Sequence, residues 1–213
     1  MKKKAPEIPV REQDQNDPDM INALELLRAG RDTEAARFLL LSSNNGNPSA
    51  QYSLGLLYAT GNGVPEDFAM AVEYFTKAAE QDIAAAQNDL GMCYYDGTGT
   101  AKNDKLAAYW FGRAAKLGMA EAQLRLGNMY MSGSGVERNF TKALEWFEKA
   151  AEQGDVDAQF NTAMAYESGD GAARDLNKAT YWYSLEANYE NWNHFLMGIY
   201  QVIPRHHKHC DQE

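Results

Sequence analysis

The sequence predicts an all-α solenoid of stacked helix pairs, and three observations carry that prediction. A Gly-x-Gly loop recurs every 36 residues, as "GNGV" at 61–64, "GTGT" at 97–100, "GSGV" at 133–136 and "GDGA" at 169–172. The segments ahead of it keep register: "AQYSLGLLYATG", "AQNDLGMCYYDG", "AQLRLGNMYMSG" and "AQFNTAMAYESG". The segments behind it, from "AVEYFTKAAEQ" to "ALEWFEKAAEQG" and a looser "ATYWYSLEAN", carry a second apolar pattern.

The elements follow in chain order from that frame. Residues 1–18 are polar, charged and proline-bearing, and are expected to form a flexible tail. "MINALELLRAGRDTEAARFLLLSSNNGN" fits the repeat with a shorter loop, because Ala35, Phe38 and Leu39 lie 36 residues before Ala71, Tyr74 and Phe75. It reads as a degenerate first repeat at about 19–47. In the first full unit, Ala50, Leu54, Leu57 and Tyr58 recur at helical spacing, and Gly55 lets a neighbouring helix approach closely. Ala71, Tyr74, Phe75, Ala78 and Ala79 form the stripe of the second helix. A helix with one apolar face cannot stand alone, so consecutive pairs must share a core. The glycines end each first helix and permit positive φ in the loop. Asp67, Asn103, Asn139 and Asp175 stand where the second helices start, as N-caps would. Beyond the last repeat, "NWNHFLMGIYQVI" suggests a capping helix at 191–204, begun by Asn191 and stopped by Pro204. Trp192, Phe195 and Leu196 would shield the last core layer.

The pattern Ala…Leu-Gly…Tyr, Gly-x-Gly, Asp/Asn, Ala…Trp/Tyr-Phe…Ala-Ala at period 36 resembles the Sel1-like repeat, a relative of the tetratricopeptide repeat. Four copies cover residues 48–190; the fourth departs, with Thr162 and Ala163 replacing Leu-Gly and Glu186 replacing an alanine. The resemblance implies a right-handed α/α superhelical solenoid of about five helix-pair repeats over 19–190. It also implies a concave groove lined by the first helices. Proteins of this kind serve as scaffolds in signalling and secretion, and as bacterial virulence factors or toxin-neutralising immunity proteins.

Composition and motifs narrow the chemistry. A formal net charge of −10 argues against nucleic acid as a partner, because phosphate contacts need a positive footprint. No apolar run approaches the roughly 20 residues of a membrane span. "MKKKAPEIPV" starts like a signal peptide, but no apolar stretch of about 7–15 residues follows. The expected location is cytoplasmic, or periplasmic or secreted if a signal peptide has been removed. Two cysteines, Cys93 and Cys210, make no disulfide framework, and Cys93 reads as a small core residue. "DGTGT" at 96–100 has the look of a phosphate cradle, yet the same loop comes four times between helices, so its glycines read as structural. "RHHKHC" at 205–210 is either a small metal site or a solvated tail, and the lack of supporting residues favours the tail. Trp110, Trp146 and Trp182 share one repeat position and read as packing residues. Gln51, Gln87, Gln123 and Gln159 recur beside the repeated alanine, as a structural hydrogen bond would require.

Residues shared by all copies build the scaffold, and residues that vary on an exposed face are free to specify a partner. On the first helix of each pair, positions equivalent to 49, 52, 56, 59 and 60 fall within a stripe about 100° wide. In the first copies the stripe holds Ser49, Tyr52, Leu56, Ala59, Thr60, Ala85, Asn88, Met92, Tyr95 and Asp96. It continues with Glu121, Leu124, Asn128, Met131, Ser132, Asp157, Phe160, Met164, Glu167 and Ser168. None is Lys or Arg. Large apolar groups flanked by acids suggest a protein-binding surface for a partner with apolar anchors and basic residues. The competing reading is that tight curvature buries them. The sequence thus reads as a non-catalytic adaptor or regulator that holds a partner segment in its groove, without cofactor. A bacterial immunity protein that neutralises a toxin enzyme is the alternative. A hydrolase with a C-terminal metal site is weaker, since no acid–base constellation accompanies the histidines.

Overall fold

The computed structural model describes residues 11–186, which contain ten α-helices and, among the described residues, no strand. The helices are α1 (Pro18–Arg28), α2 (Asp32–Asn44), α3 (Pro48–Thr60), α4 (Phe68–Glu80) and α5 (Ala84–Asp96). They continue as α6 (Asp104–Lys116), α7 (Ala120–Ser132), α8 (Phe140–Glu152), α9 (Val156–Ser168) and α10 (Leu176–Glu186). Each packs on the one before and the one after, so five antiparallel-type pairs stack as a solenoid. The odd-numbered helices are termed A helices and the even-numbered ones B helices. The helix expected at 191–204 and the histidine-bearing segment 205–213 lie outside the described residues.

Local chemistry sets the helix ends. Gly61, Gly97, Gly133 and Gly169 end the A helices in the left-handed region, with φ between 68° and 85°. The Gly97 N–H returns to the Cys93 carbonyl at 2.9 Å, which satisfies a carbonyl left over at the helix end. Each expected N-cap acts as one. Asp67 accepts from the Met70 N–H at 3.0 Å, Asn103 from Leu106 at 3.1 Å, Asn139 from Lys142 at 2.9 Å and Asp175 from Lys178 at 3.1 Å.

Two close approaches join the helices. A Cβ on Gly55, Gly91 or Gly127 would lie 2.5–2.7 Å from the ring of Phe75, Phe111 or Phe147, so the B-helix ring lies directly on the A-helix backbone. The second glycine of each loop makes the joint to the preceding repeat. A Cβ on Gly99 would stand 2.2 Å from the Phe68 carbonyl oxygen, and one on Gly135 2.1 Å from that of Asp104. The four glutamines complete the joint. The side-chain N–H of Gln87 donates to the Ala79 carbonyl at 2.9 Å, Gln123 to Ala115 at 3.1 Å and Gln159 to Ala151 at 3.2 Å. Gln51 reaches Ser43 at 3.5 Å. Each thereby satisfies an end carbonyl of the previous B helix.

The N-terminal boundary differs from expectation. Residues 11–17 belong to the expected tail, but Glu12–Asn16 form a 3-10 turn and Asp14 is buried. Its carboxylate accepts from Asn47 Nδ2 at 2.9 Å and Ser49 Oγ at 2.7 Å. Asp17 then caps α1 through the Met20 N–H at 3.1 Å and accepts from Ser42 Oγ at 2.6 Å. These partners lie 25–35 residues away in sequence, so no local pattern announces them.

Leu90 is fully buried whereas Met131 is 43% exposed. In urea unfolding, Leu90→Ala is expected to cost about 2–5 kcal/mol. Met131→Ala is expected to cost less than about 1 kcal/mol. Equal losses would place Met131 in the core.

Candidate protein-binding face

The A helices bring the stripe residues onto one side of the stack, but unequally. Tyr95, Asp96, Glu121, Asn128, Met131, Ser132, Asp157, Phe160, Met164 and Ser168 are exposed. These belong to α5, α7 and α9; of the α3 stripe only Thr60, at the helix end, is exposed. Leu124 and Glu167 are partly exposed, and Glu167 accepts from the Tyr183 hydroxyl at 3.0 Å.

Toward the N-terminal end the face closes, which corrects part of the expected groove. Ser49 is covered through its bond to Asp14. Tyr52 is 6% exposed; its ring lies 5.8 Å from Phe75 and its hydroxyl donates to Asp89 at 3.0 Å. Asn88 is 2% exposed, and Leu56 and Met92 are partly buried against the core. The Tyr52–Asp89 bond gives the reason. Tyr52 sits at the seam between α3 and α5 and its side chain is spent on the neighbouring repeat, whereas Phe160, at the same repeat position, is 41% exposed. Packing within the stack buries Ser49, Tyr52 and Asn88 in the first copies, while Asn128, Phe160 and Met164 are exposed in the later ones.

The open part centres on a cleft between repeats, lined by Tyr95, Phe111, Arg125, Asn128, Met131 and Ser134. Arg125 is the residue that sequence reasoning missed. Its guanidinium pairs with Glu121 and lies 5.8 Å from the Phe111 ring centroid, while its Nε has no hydrogen-bond partner. The ammonium of Lys102 also stands over the Tyr95 ring, at 5.1 Å. The stripe lacks basic residues, but the folded face does not. The signal for Arg125 was its place four residues after Glu121, which on a helix brings the two side chains together.

Burial shifts the titratable groups behind this face. Burial pushes the Cys93 thiol up to about 11, so at neutral pH it is not the thiolate a nucleophile needs. Burial also raises Asp89 above its ordinary value, against the lowering effect of the Tyr52 hydroxyl and Asn88. Among the described residues, no three His, Cys, Asp or Glu side chains are grouped to hold a metal. No described helix is long and apolar enough to cross a membrane.

The Sel1 repeat family model matches residues 48–83, 84–119, 120–155 and 156–185. The chain is similar to a solved Sel1 repeat protein from Oxalobacter formigenes, with 35% identity and a TM-score of 0.74 over 80% of this chain and 68% of that one. It is also similar to a protective antigen of uropathogenic Escherichia coli that displays an SLR fold, with 32% identity and a TM-score of 0.74. That match takes in 84% of this chain but only 41% of the antigen. An immunity protein from Pseudomonas aeruginosa aligns over 86% of this chain and 71% of its own, at 23% identity and a TM-score of 0.45, which is too distant to carry an argument. No curated protein sequence matches the chain.

The seam at Asp89 can be tested by pH. A carboxyl whose folded-state pKa is raised binds its proton more tightly when folded, so stability falls as pH rises through the unfolded value of 3.8 to the folded one. Asp89→Asn keeps an acceptor for Tyr52 and escapes that loss. It should be at least as stable as wild type at pH 7 by thermal unfolding, with the advantage disappearing below about pH 4. A clearly less stable variant at pH 7 would contradict the burial account.

Proposed function

Because this chain belongs to the Sel1 repeat family, whose repeats mediate protein–protein interaction, we propose that it is a non-catalytic adaptor holding a segment of a partner protein on its A-helix face. One observation carries the reading: Tyr95, Met131, Phe160 and Met164 are each at least 40% exposed on α5, α7 and α9. Helices α5 and α7 bury Leu90 and Leu126 on one side and present Tyr95 and Met131 on the other, where the core does not need them. A row of that kind, flanked by charge, suits a partner interface. Methionines adapt to irregular surfaces, and tyrosine and phenylalanine supply rigid anchors.

The rim defines the partner further. Asp96, Glu121 and Asp157 are exposed, and the chain as a whole carries a formal charge of −10. A complementary segment places an apolar side chain in the cleft beside Tyr95 and Met131, with Lys or Arg on either side. Asn128 is then available to its backbone carbonyls, while Arg125 stays paired with Glu121 in the cleft wall. Closure of the N-terminal end limits the contact to the last three repeats, with Tyr52 and Asn88 supporting the face from behind rather than touching the partner.

A partner recovered from the native host and purified provides the test. Tyr95→Ala or Phe160→Ala is expected to weaken its binding by about 2 kcal/mol or more, roughly 30-fold. Charge reversal at Glu121 or Asp157 acts mainly on the association rate and its salt dependence, since rim charges steer encounter. A partner that binds all four variants as tightly as wild type would overturn the reading.

A further inference from the structure

Counting the full repeats from α3, the B-helix side of the second (α5–α6) carries a notch of opposite character. On α6, Lys105, Tyr109, Gly112, Arg113 and Lys116 share one stripe at helical spacing. The same stripe is acidic in its neighbours. The first repeat has Glu73, Thr76, Lys77 and Glu80 there, and the third has Glu145, Glu148, Lys149 and Glu152. The second full repeat replaces every acid, with Tyr109, Gly112 and Lys116, and it alone places three basic side chains on the stripe, whereas the fourth carries Tyr181, Ser184 and Leu185 there. A scaffold does not require this exchange, because the first and third repeats fold with the acidic pattern.

Gly112 makes the exchange a cavity. A Cβ there would meet only Leu126 Cδ2, at 3.9 Å, so nothing forces glycine into the middle of this helix. In the third repeat the same position is Glu148, which accepts from the Tyr166 hydroxyl at 2.6 Å. In the second repeat the space stays open between Tyr109, Leu126, Tyr130, Val136 and Trp146. The third repeat lends further positive charge around the notch, with Lys149 standing 4.0 Å from the Trp146 ring centroid and Lys142 5.3 Å from that of Tyr130. Arg113 is engaged by Asp82, while Lys105 and Lys116 are exposed and form no ion pair among the described residues.

We propose that this notch is a second docking site, which takes an acidic peptide segment of a partner protein. An apolar side chain of the segment enters the space over Gly112 against Trp146 and Tyr130, and flanking carboxylates meet Lys105 and Lys116. Charge complementarity selects this occupant: the site is the locally basic part of a chain whose formal charge is −10, so it attracts acids that the rest of the surface repels.

The probe is a fluorescein-labelled peptide alternating glutamate with leucine, titrated by fluorescence polarisation at low salt, beside the same peptide with lysine for glutamate. The acidic peptide is expected to bind saturably and at least tenfold more tightly than the basic one. Gly112→Glu, which fills the notch with the side chain of the third repeat and keeps the helix, should weaken it at least tenfold. Lys105→Glu with Lys116→Glu should do the same, and Tyr95→Ala on the A-helix face should leave it unchanged. Circular dichroism confirms that each variant is folded. The proposal is overturned if the acidic peptide has no preference over the basic one, if the filled and charge-reversed variants bind like wild type, or if Tyr95→Ala abolishes binding.

Discussion

The stack depends on a contact in which a phenylalanine ring lies on bare helix backbone. Gly55, Gly91 and Gly127 leave no Cβ between the A helix and the rings of Phe75, Phe111 and Phe147, each of which is at most 3% exposed. With any side chain in between, the two helices of a pair would have to separate or the ring would have to turn. Interiors are packed too densely to absorb such a shift without cost. The second loop glycine then fixes each pair against the one before, through the close approach of Gly99 to Phe68 and of Gly135 to Asp104. The ring contact recurs in the first three full repeats, with Ala163 and Tyr183 in its place in the fourth, and the loop joint recurs in all four, so the two together follow the 36-residue period of the sequence. In "DGTGT" itself Gly97 ends α5 and Gly99 makes the loop joint, so both glycines have a place in the stack.

What recurs was legible in the sequence, and what happens once was not. The loop glycines, the four N-caps and the glutamine bonds to the preceding helix are local or repeated, so each copy confirms the others. The identities of Gln81 and Gln153 refine the pattern, since each donates to the A-helix glutamine of its own repeat, at 2.7 and 2.8 Å. Leu117 stands at that position in the second repeat, and Gln87 Oε1 is left without a partner there. Asp14 finds Asn47 and Ser49 across more than 30 residues, and no periodicity encodes that meeting. For the candidate face, the helical stripe located Tyr95, Met131, Phe160 and Met164 correctly on an exposed side. It could not tell that the position shared by Tyr52, Asn88 and Phe160 is buried in the first two full copies and exposed in the last. A stripe drawn on one helix contains no information about the next helix.

A rigid frame with free positions explains how one short chain can offer two unlike surfaces. The A-helix face of the last repeats is apolar with an acidic rim, while the B-helix stripe of α6 is basic with aromatic walls. Phe111 lines the first and Gly135 the second, but the side chains that set their character, Tyr95 and Met131 in one and Tyr109 and Lys116 in the other, take no part in the glycine–phenylalanine contacts or the loop joints. Substitution of those side chains therefore leaves the stacking intact, and the two surfaces are free to carry separate partners. Asp82 shows the limit of that freedom. It takes the left-handed position that Gly118 and Gly154 occupy in later repeats, with φ of 61°, and its carboxylate holds Arg113 from the next repeat.

The division between frame and free positions is tested most directly by making one substitution at two mid-helix glycines. Gly91→Ala places a methyl group 2.7 Å from the Phe111 ring, whereas Gly112→Ala meets only Leu126, at 3.9 Å. Urea unfolding of the two variants and the wild type is the measurement. The account predicts that Gly91→Ala loses about 1–3 kcal/mol to overpacking, despite alanine's better helix propensity. It predicts that Gly112→Ala gains up to about 1 kcal/mol from that propensity alone. Equal shifts of the same sign in both variants would contradict it, because the glycine of the frame and the glycine of the notch would then be doing the same thing.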